Sequence, residues 1–413
     1  MLLPSIKRVL DDLKHDFDNY NYLKMIGGKD VVIYLDNSAT SYPKPMAVRE
    51  ATFQTFQRYG ANPGRSGHTM SRESGMEIEK CRRVAAKMFG AFEPKDVAFT
   101  LNCTQAINLV MKGLLKPGDH VVTSSVEHNA VMRPLRKMEK KGIITFSVAK
   151  VYPKDPEKTV DSFRKAINSK TALIVCSHAS NVWGIRMPVE RIAALARVYE
   201  IPILVDAAQS AGILPINVLE TGIDYLCVAG HKGLYGPMGT GMLITHYADN
   251  LETIIEGGTG TDSMTFCQPQ EMPQKFESGT PNFHGICGLR AGMEFVNQKG
   301  ISNIFKHEMN LIIYLYDKLK GIKGVKLYMP RPDFENFVPV LSFNVSGYVS
   351  DEIGKILDHY GIEVRTGLHC APAAHDFGGT IDIGTVRVSP SIFTTKTEIN
   401  KLVEVVKNIK PKF

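Results

Sequence analysis

TALIVCSHASNVWGIRMPVERIAALARVYEIPILVDAA (171–208) carries two short apolar runs, TALIVCSH and IPILVDAA, on either side of VERIAALARVYE. Short runs rich in Val and Ile read as buried strands, and the segment between them has helical spacing. Strand, helix and strand in that order make a βαβ unit of a mainly parallel sheet covered on both faces. The same alternation extends in both directions. DVAFTL (96–101), HVVTSS (120–125), DYLCVAGHK (224–232) and GTGMLIT (239–245) read as further strands. TQAINLVMKGLL (104–115) and NAVMRPLRKMEKK (129–141) read as helices. Upstream, VVIYLDNSAT (31–40) is a short strand running into a turn, with helical patterns near 46–58 and 74–90. Residues 4–24 form an amphipathic helical pattern through Ile6, Leu10, Leu13 and Phe17.

The pattern changes near residue 290. A long helical stretch leads to VPVLSFNV (338–345) as a strand, DEIGKILDHY (351–360) as a helix and TVRVSPS (385–391) as a strand. The chain has 413 residues, more than one core normally holds. An α/β fold is expected, with a large domain over 30–290 and a smaller α+β domain from 1–29 and 291–413.

Lys and Arg number 49 against 42 Asp and Glu, a net charge of +7. That excess reads as spread along the chain, without a basic stripe interleaved with aromatics. No nucleic-acid partner is expected, only a mild attraction for small anions. The seven cysteines form no CxxC pair and no Cys/His zinc spacing, so no metal site is expected. No apolar leader opens the chain and no apolar run is long enough to span a membrane. A reducing, cytoplasmic setting with free thiols is the expectation.

In parallel sheets, ligands bind at the carboxyl ends of the strands, so polar residues just past the apolar runs carry the interest. Asp206 closes IPILVD, with Gln209 three residues on. It reads either as a cap for the next element or as the partner of a buried cation, for which a protonated pyridine nitrogen is suited. Lys232 follows a strand, between His231 and a glycine-rich loop. It is either a solvated lysine or one able to form a Schiff base with an aldehyde. Thr104 and Gln105 lie at a helix N-terminus, either as a simple cap or as a phosphate site. His128 follows another strand and is either structural or placed to stack on an aromatic ring or move protons. Each feature alone is ambiguous. Taken together they supply a phosphate cradle, a stacking imidazole, a carboxylate for a pyridine nitrogen and a Schiff-base lysine, which is what pyridoxal 5′-phosphate asks of a protein.

With these residues in view, the sequence resembles the class V aminotransferase group of fold-type I pyridoxal-phosphate enzymes. Within it the likeness is to cysteine desulfurases, in the Suf-type and selenocysteine lyase-like branch. The matching stretches are YLDNSAT (34–40), TQAINLV (104–110), EHNA (127–130), SNVWG (180–184), VDAAQSAG (205–212), GHKGLYGPMGTG (230–241), ESGTPN (277–282), RTGLHC (365–370) and VRVSPS (386–391). The resemblance implies a large domain with a mainly parallel sheet of the seven-stranded type. It also implies roles: Lys232 holds the cofactor, Asp206 meets its ring nitrogen, Gln209 its ring hydroxyl and His128 its face. Thr104, Gln105 and His231 hold the phosphate, and Thr280 reaches the phosphate of a partner subunit in a homodimer. Asn181, Arg365 and Arg387 bind the substrate. Cys370 attacks the sulfur of L-cysteine, leaving alanine and a persulfide for a sulfur-acceptor protein.

Three positions depart from that pattern. Ala229 stands where many relatives have Ser or Thr, and Cys103 where a second Thr is frequent, so likely phosphate donors are lost. Leu368 replaces a His common in the Suf-type motif. Selenocysteine as substrate, another class V reaction, and a non-catalytic protein that retains the fold are the alternatives these departures leave open.

Overall fold

In the computed structural model the described residues are 32–58, 61–64, 67–261 and 264–412. The helix expected over 4–24, and with it the 1–29 part of the expected small domain, lies outside them. The described chain begins with β1 (Ile33–Tyr34) and two helices, Met46–Arg58 and Thr69–Phe89. Seven strands then form the central sheet: β2 (Val97–Thr100), β3 (Asp119–Ser124), β4 (Ile144–Ala149), β5 (Thr171–Ser177), β6 (Ile203–Asp206), β7 (Tyr225–Ala229) and β8 (Gly241–Ile244). Their spatial order is β2-β8-β7-β6-β5-β3-β4, and only β8 runs against its neighbours.

The apolar runs are continuous because both faces of the sheet are buried. Alternate residues divide between two cores, as the two-residue period of a strand requires. Ile174, Cys176, Ile203, Val205, Leu226 and Val228 pack on one side. Leu173, Val175, Leu204, Tyr225 and Cys227 pack on the other.

Beyond the sheet, the long helical stretch is two helices, Phe283–Lys299 and Ile301–Lys320, broken at Gly300 with φ +82. A second sheet follows, with β10 (Leu341–Val345) between β9 (Val325–Leu327) and β12 (Val386–Val388). β11 (Ile362–Glu363) pairs with β1 in parallel. Ile33 and Leu35 therefore share a core with Leu311, Phe343, Val386 and Leu402. The helices Pro156–Ala166 and Lys396–Asn408, and strand β4, have no counterpart in the sequence reading. In β4 only the end residues Ile144 and Ala149 are buried, because it is an edge strand. Among the described residues no helix is long and apolar enough to cross a membrane.

β8 reverses direction, so the ends of β2, β3, β5, β6 and β7 gather along one sheet edge. Arg365 and Arg387 pair through their backbones beside that edge.

Candidate active site

Asp206 is the last residue of β6 and is 5 % exposed. Its Oδ1 accepts the Ala208 N–H at 2.9 Å and the Cys103 S–H at 3.3 Å. Cys103, one of the departures, thus spends its thiol proton on the carboxylate. Burial, reinforced by Asp206, holds that thiol well above its ordinary pKa, so it stays a donor.

Lys232 lies three residues beyond β7. Two glycines explain how it comes beside Asp206. A Cβ on Gly212, where φ is +83, would sit 2.3 Å from the Gly233 carbonyl oxygen, and one on Gly233 would sit 2.5 Å from that of Ala211. The VDAAQSAG and GHKG turns can press together only without side chains there. Burial lowers the Lys232 pKa against the pull of Asp206, and Arg387 lowers it further. The shift is toward the neutral amine, the nucleophilic form.

His128 caps the helix Asn129–Lys140, its Nδ1 accepting the Ala130 N–H at 3.0 Å. The remaining ring proton belongs on Nε2. Burial pushes its pKa down to about 4, although Asp206 pulls the other way, so the ring is neutral. Beneath it, buried Glu127 accepts from Ser124 Oγ (2.5 Å), Ser177 N (2.9 Å) and Ser177 Oγ (2.5 Å), tying β3 to β5. Burial raises the Glu127 pKa to about 7 despite these donors. His231 is pushed down to about 4 by burial and by Lys232 and Lys44, and its Nδ1 is buried without a partner.

The helix Cys103–Leu114 is capped by Asn102, whose Oδ1 accepts the Gln105 N–H at 2.9 Å. Thr104 is therefore not the cap. Gln105 turns its Oε1 to the Leu101 N–H at 2.6 Å. As first-turn residues, Cys103 and Thr104 have N–H groups with no acceptor inside the helix.

Thr104, His128, Asn181, Asp206, Gln209, His231 and Lys232 line one cleft, together with Cys103 and Ala229. Gln209 also donates Nε2 to the Ser38 carbonyl at 3.1 Å. Gln105, Thr280, Arg365, Arg387 and Cys370 do not line it. Thr280 is exposed and accepts from Asn62 Nδ2 at 3.4 Å.

Arg387, 1 % exposed, donates Nη1 to the Asn181 carbonyl at 3.0 Å and Nη2 to Asp36 Oδ1 at 2.5 Å, while its Nε has no partner. Asp36 and Glu127 escaped the sequence reading as functional residues. Their signal was present, since both sit inside motifs quoted for other members, YLDNSAT and EHNA.

Cys370 sits on an exposed turn where His369 has φ +49 and Cys370 φ +56. Two successive non-glycine residues in the left-handed region cost about 1–2 kcal/mol each. The turn is held at both residues: Asn181 Nδ2 donates to the His369 carbonyl and Asn129 N–H to the Cys370 carbonyl, each at 2.8 Å. Arg365 Nη2 lies 3.7 Å from Cys370 Sγ. His369, adjacent in sequence, turns inward to Thr385 Oγ1 at 3.0 Å, and burial with nearby Arg387 pushes its pKa to about 2. Of these two neighbours, only Arg365 presents positive charge to the thiol.

The family model described as aminotransferase class-V matches residues 33–402. The chain belongs to that family. A probable cysteine desulfurase from Methanothermobacter thermautotrophicus is 34% identical over 386 residues, covering 91% of this chain and 94% of that protein. A cysteine desulfurase from Escherichia coli O157:H7 is 31% identical over 381 residues, covering 90% and 91%. The apo structure of a cysteine desulfurase from Thermococcus onnurineus NA1 superposes with a TM-score of 0.84 at 32% identity, covering 91% and 94%.

Enzymes of this family use pyridoxal 5′-phosphate, and the cleft of this class V chain fits that group. A buried carboxylate, a neutral imidazole and a lysine held toward its neutral form converge there. The unpartnered His231 Nδ1 and the free first-turn amides of the Cys103 helix suit a phosphate.

Proposed function

We propose that this chain is a pyridoxal-phosphate-dependent cysteine desulfurase that converts L-cysteine to L-alanine and carries the released sulfur on Cys370. The supporting observation is the attachment of the Cys370 turn to the cleft: Asn181, a cleft residue, and Asn129, next to His128, bind the carbonyls of His369 and Cys370. The names of the relatives point the same way.

When bound, pyridoxal phosphate supplies an aldehyde for the amine and a ring that withdraws electrons from Cα. Lys232 would hold the aldehyde and, once free, take the Cα proton as a neutral amine. Asp206 would keep the ring nitrogen protonated, aided by the Cys103 donor. His128 would cover the ring face, Gln209 would reach the ring hydroxyl, and Thr104, His231 and the first-turn amide of Gln105's helix would hold the phosphate. Arg387 and Asn181 would bind the substrate carboxylate, with Arg365 closer to the thiol. The Cys370 thiolate then forms an S–S bond to the substrate sulfur. The Cβ–S bond breaks, its electron pair passes to Cβ, and alanine results when Cβ takes up a proton and Lys232 returns to Cα the proton it removed.

A homodimer in which Thr280 serves the partner's phosphate site, a division into lobes near residue 290, and a cytoplasmic setting belong to the same proposal. Given L-cysteine and dithiothreitol, the holoenzyme should form alanine and sulfide in equal amounts. A parallel assay with selenocysteine sets the substrate preference. Pyruvate or ammonia in place of alanine would replace the proposal with another class V reaction.

A further inference from the structure

Beside the Cys370 turn runs an open groove. One wall is the helix Asn129–Lys140 and the other the helix Pro372–Gly378, which starts two residues after Cys370. Arg133, Arg136, Lys137, Lys140, Lys141 and Lys150 line it, against a single carboxylate, Asp376. Arg136 pairs with Glu139 at 2.9 Å. Among the described residues the other five form no ion pair. Val148, 46% exposed, and Ile381, 38% exposed, add aliphatic surface, with Phe377 half-buried between the walls.

We propose that this groove docks an acidic sulfur-accepting protein, which brings a cysteine to Cys370 while its carboxylates meet the basic wall. The idea rests on the desulfurase reading above. Charge complementarity selects the occupant: clustered, unpaired cations steer and hold an acidic surface. The exposed aliphatic residues favour a protein over a nucleic acid, which would call for exposed rings to stack its bases. Placement follows from the shared backbone, since the first residue of the basic helix, Asn129, is bonded to the Cys370 carbonyl. In the transfer itself, the acceptor thiolate attacks the outer sulfur of the Cys370 persulfide. The Cys370 S–S bond breaks, its electron pair stays on Cys370 as a thiolate, and the acceptor becomes the persulfide. No oxidant or reductant is consumed.

The test uses holoenzyme and two fluorescein-labelled cysteine peptides of equal length, one rich in Glu with a single Leu, the other with Gln in place of Glu. At low ionic strength the acidic peptide should bind and accept sulfur about tenfold better than the neutral one, with the advantage shrinking as salt rises. Lys137→Glu with Lys141→Glu should remove the advantage while alanine formation with dithiothreitol stays at the unmodified level. Equal binding of the two peptides, or a preference that survives the charge reversal, would overturn the groove. So would a single-stranded RNA oligonucleotide that displaces the acidic peptide at lower concentration than polyglutamate does. Loss of alanine formation in the unmodified enzyme would instead remove the parent reading, and peptide binding would still decide the groove.

Discussion

The two ends of the candidate site differ in burial. Around Lys232 the groups are buried, and burial sets their charge: His128 and His231 are pushed to about 4, and Lys232 is lowered. Around Cys370 the chain is exposed and strained, and one cation, Arg365, lies 3.7 Å from the sulfur. At the buried end a low-dielectric environment penalises the charged form of each of these groups. The exposed end leaves the sulfur free to move between substrate and acceptor. A desulfurase needs both, since electron withdrawal wants a dry cleft and sulfur delivery wants an open one.

The largest test of this contrast is Lys232→Ala. Turnover should fall by about 10²–10⁴-fold, as for loss of a positioned base. Borohydride reduction should no longer fix the cofactor's mass to the chain, which mass spectrometry reads. Turnover and attachment that both persisted would break the buried half of the comparison. Cys370→Ala should lower sulfide formation by about 10²-fold or more while leaving cofactor attachment intact, as expected when one member of a catalytic unit is removed. Undiminished sulfide would remove the exposed half.

Arg387→Lys sharpens the junction between the two ends. It keeps the charge and loses the fork that joins Asn181 to Asp36. One charge-assisted hydrogen bond is worth about 1.5–3 kcal/mol, so KM for L-cysteine should rise at least about tenfold, with a smaller change in kcat. An unchanged KM would place substrate binding elsewhere.

The smallest expected effect is on acid stability. Unfolded histidines take up protons below about pH 6.5. In the fold, His128 and His231 resist until about pH 4, and His369 until about pH 2. Between those limits the unfolded chain binds more protons at these histidines, so their contribution to stability falls as pH drops from about 6.5 to 4, with the His369 share continuing to about 2, while Glu127, held up at about 7, acts in the opposite direction. The urea midpoint of the cofactor-free protein should therefore be lower at pH 5 than at pH 7. His128→Asn should reduce that drop, and an equal midpoint at both pH values would contradict the buried, neutral histidines.

Much of this was legible in the sequence. The α/β class, the mainly parallel sheet and most strand positions followed from apolar runs, because a strand buried on both faces leaves an uninterrupted apolar signature. Seven of the singled-out residues line one cleft for a related reason: strand ends in a parallel sheet share an edge. The edge strand β4 was missed because only its end residues are buried. The helix Lys396–Asn408 carries a capping box at Thr395 and Glu398, a local signal that marks its start.

Charge was the main misreading. The excess of +7 read as spread along the chain, yet RPLRKMEKK (133–141) places five cations on one groove beside Lys150. Only the fold could add Lys150 from β4's far end and Pro372 from the Cys370 side, since long-range neighbours are not written in local pattern.

Sequence alone thus determined the fold class and the family, and singled out Lys232, Asp206, His128 and Cys370 as candidates, because period, strand-end position and motif are local properties. Tertiary structure decided which neighbours each group faces. It turned Cys103 toward Asp206, turned His369 away from Cys370 and left Arg365 beside the sulfur. The physical reason is that pKa and reactivity depend on burial and on the nearest charge, and both are set by residues distant in the chain.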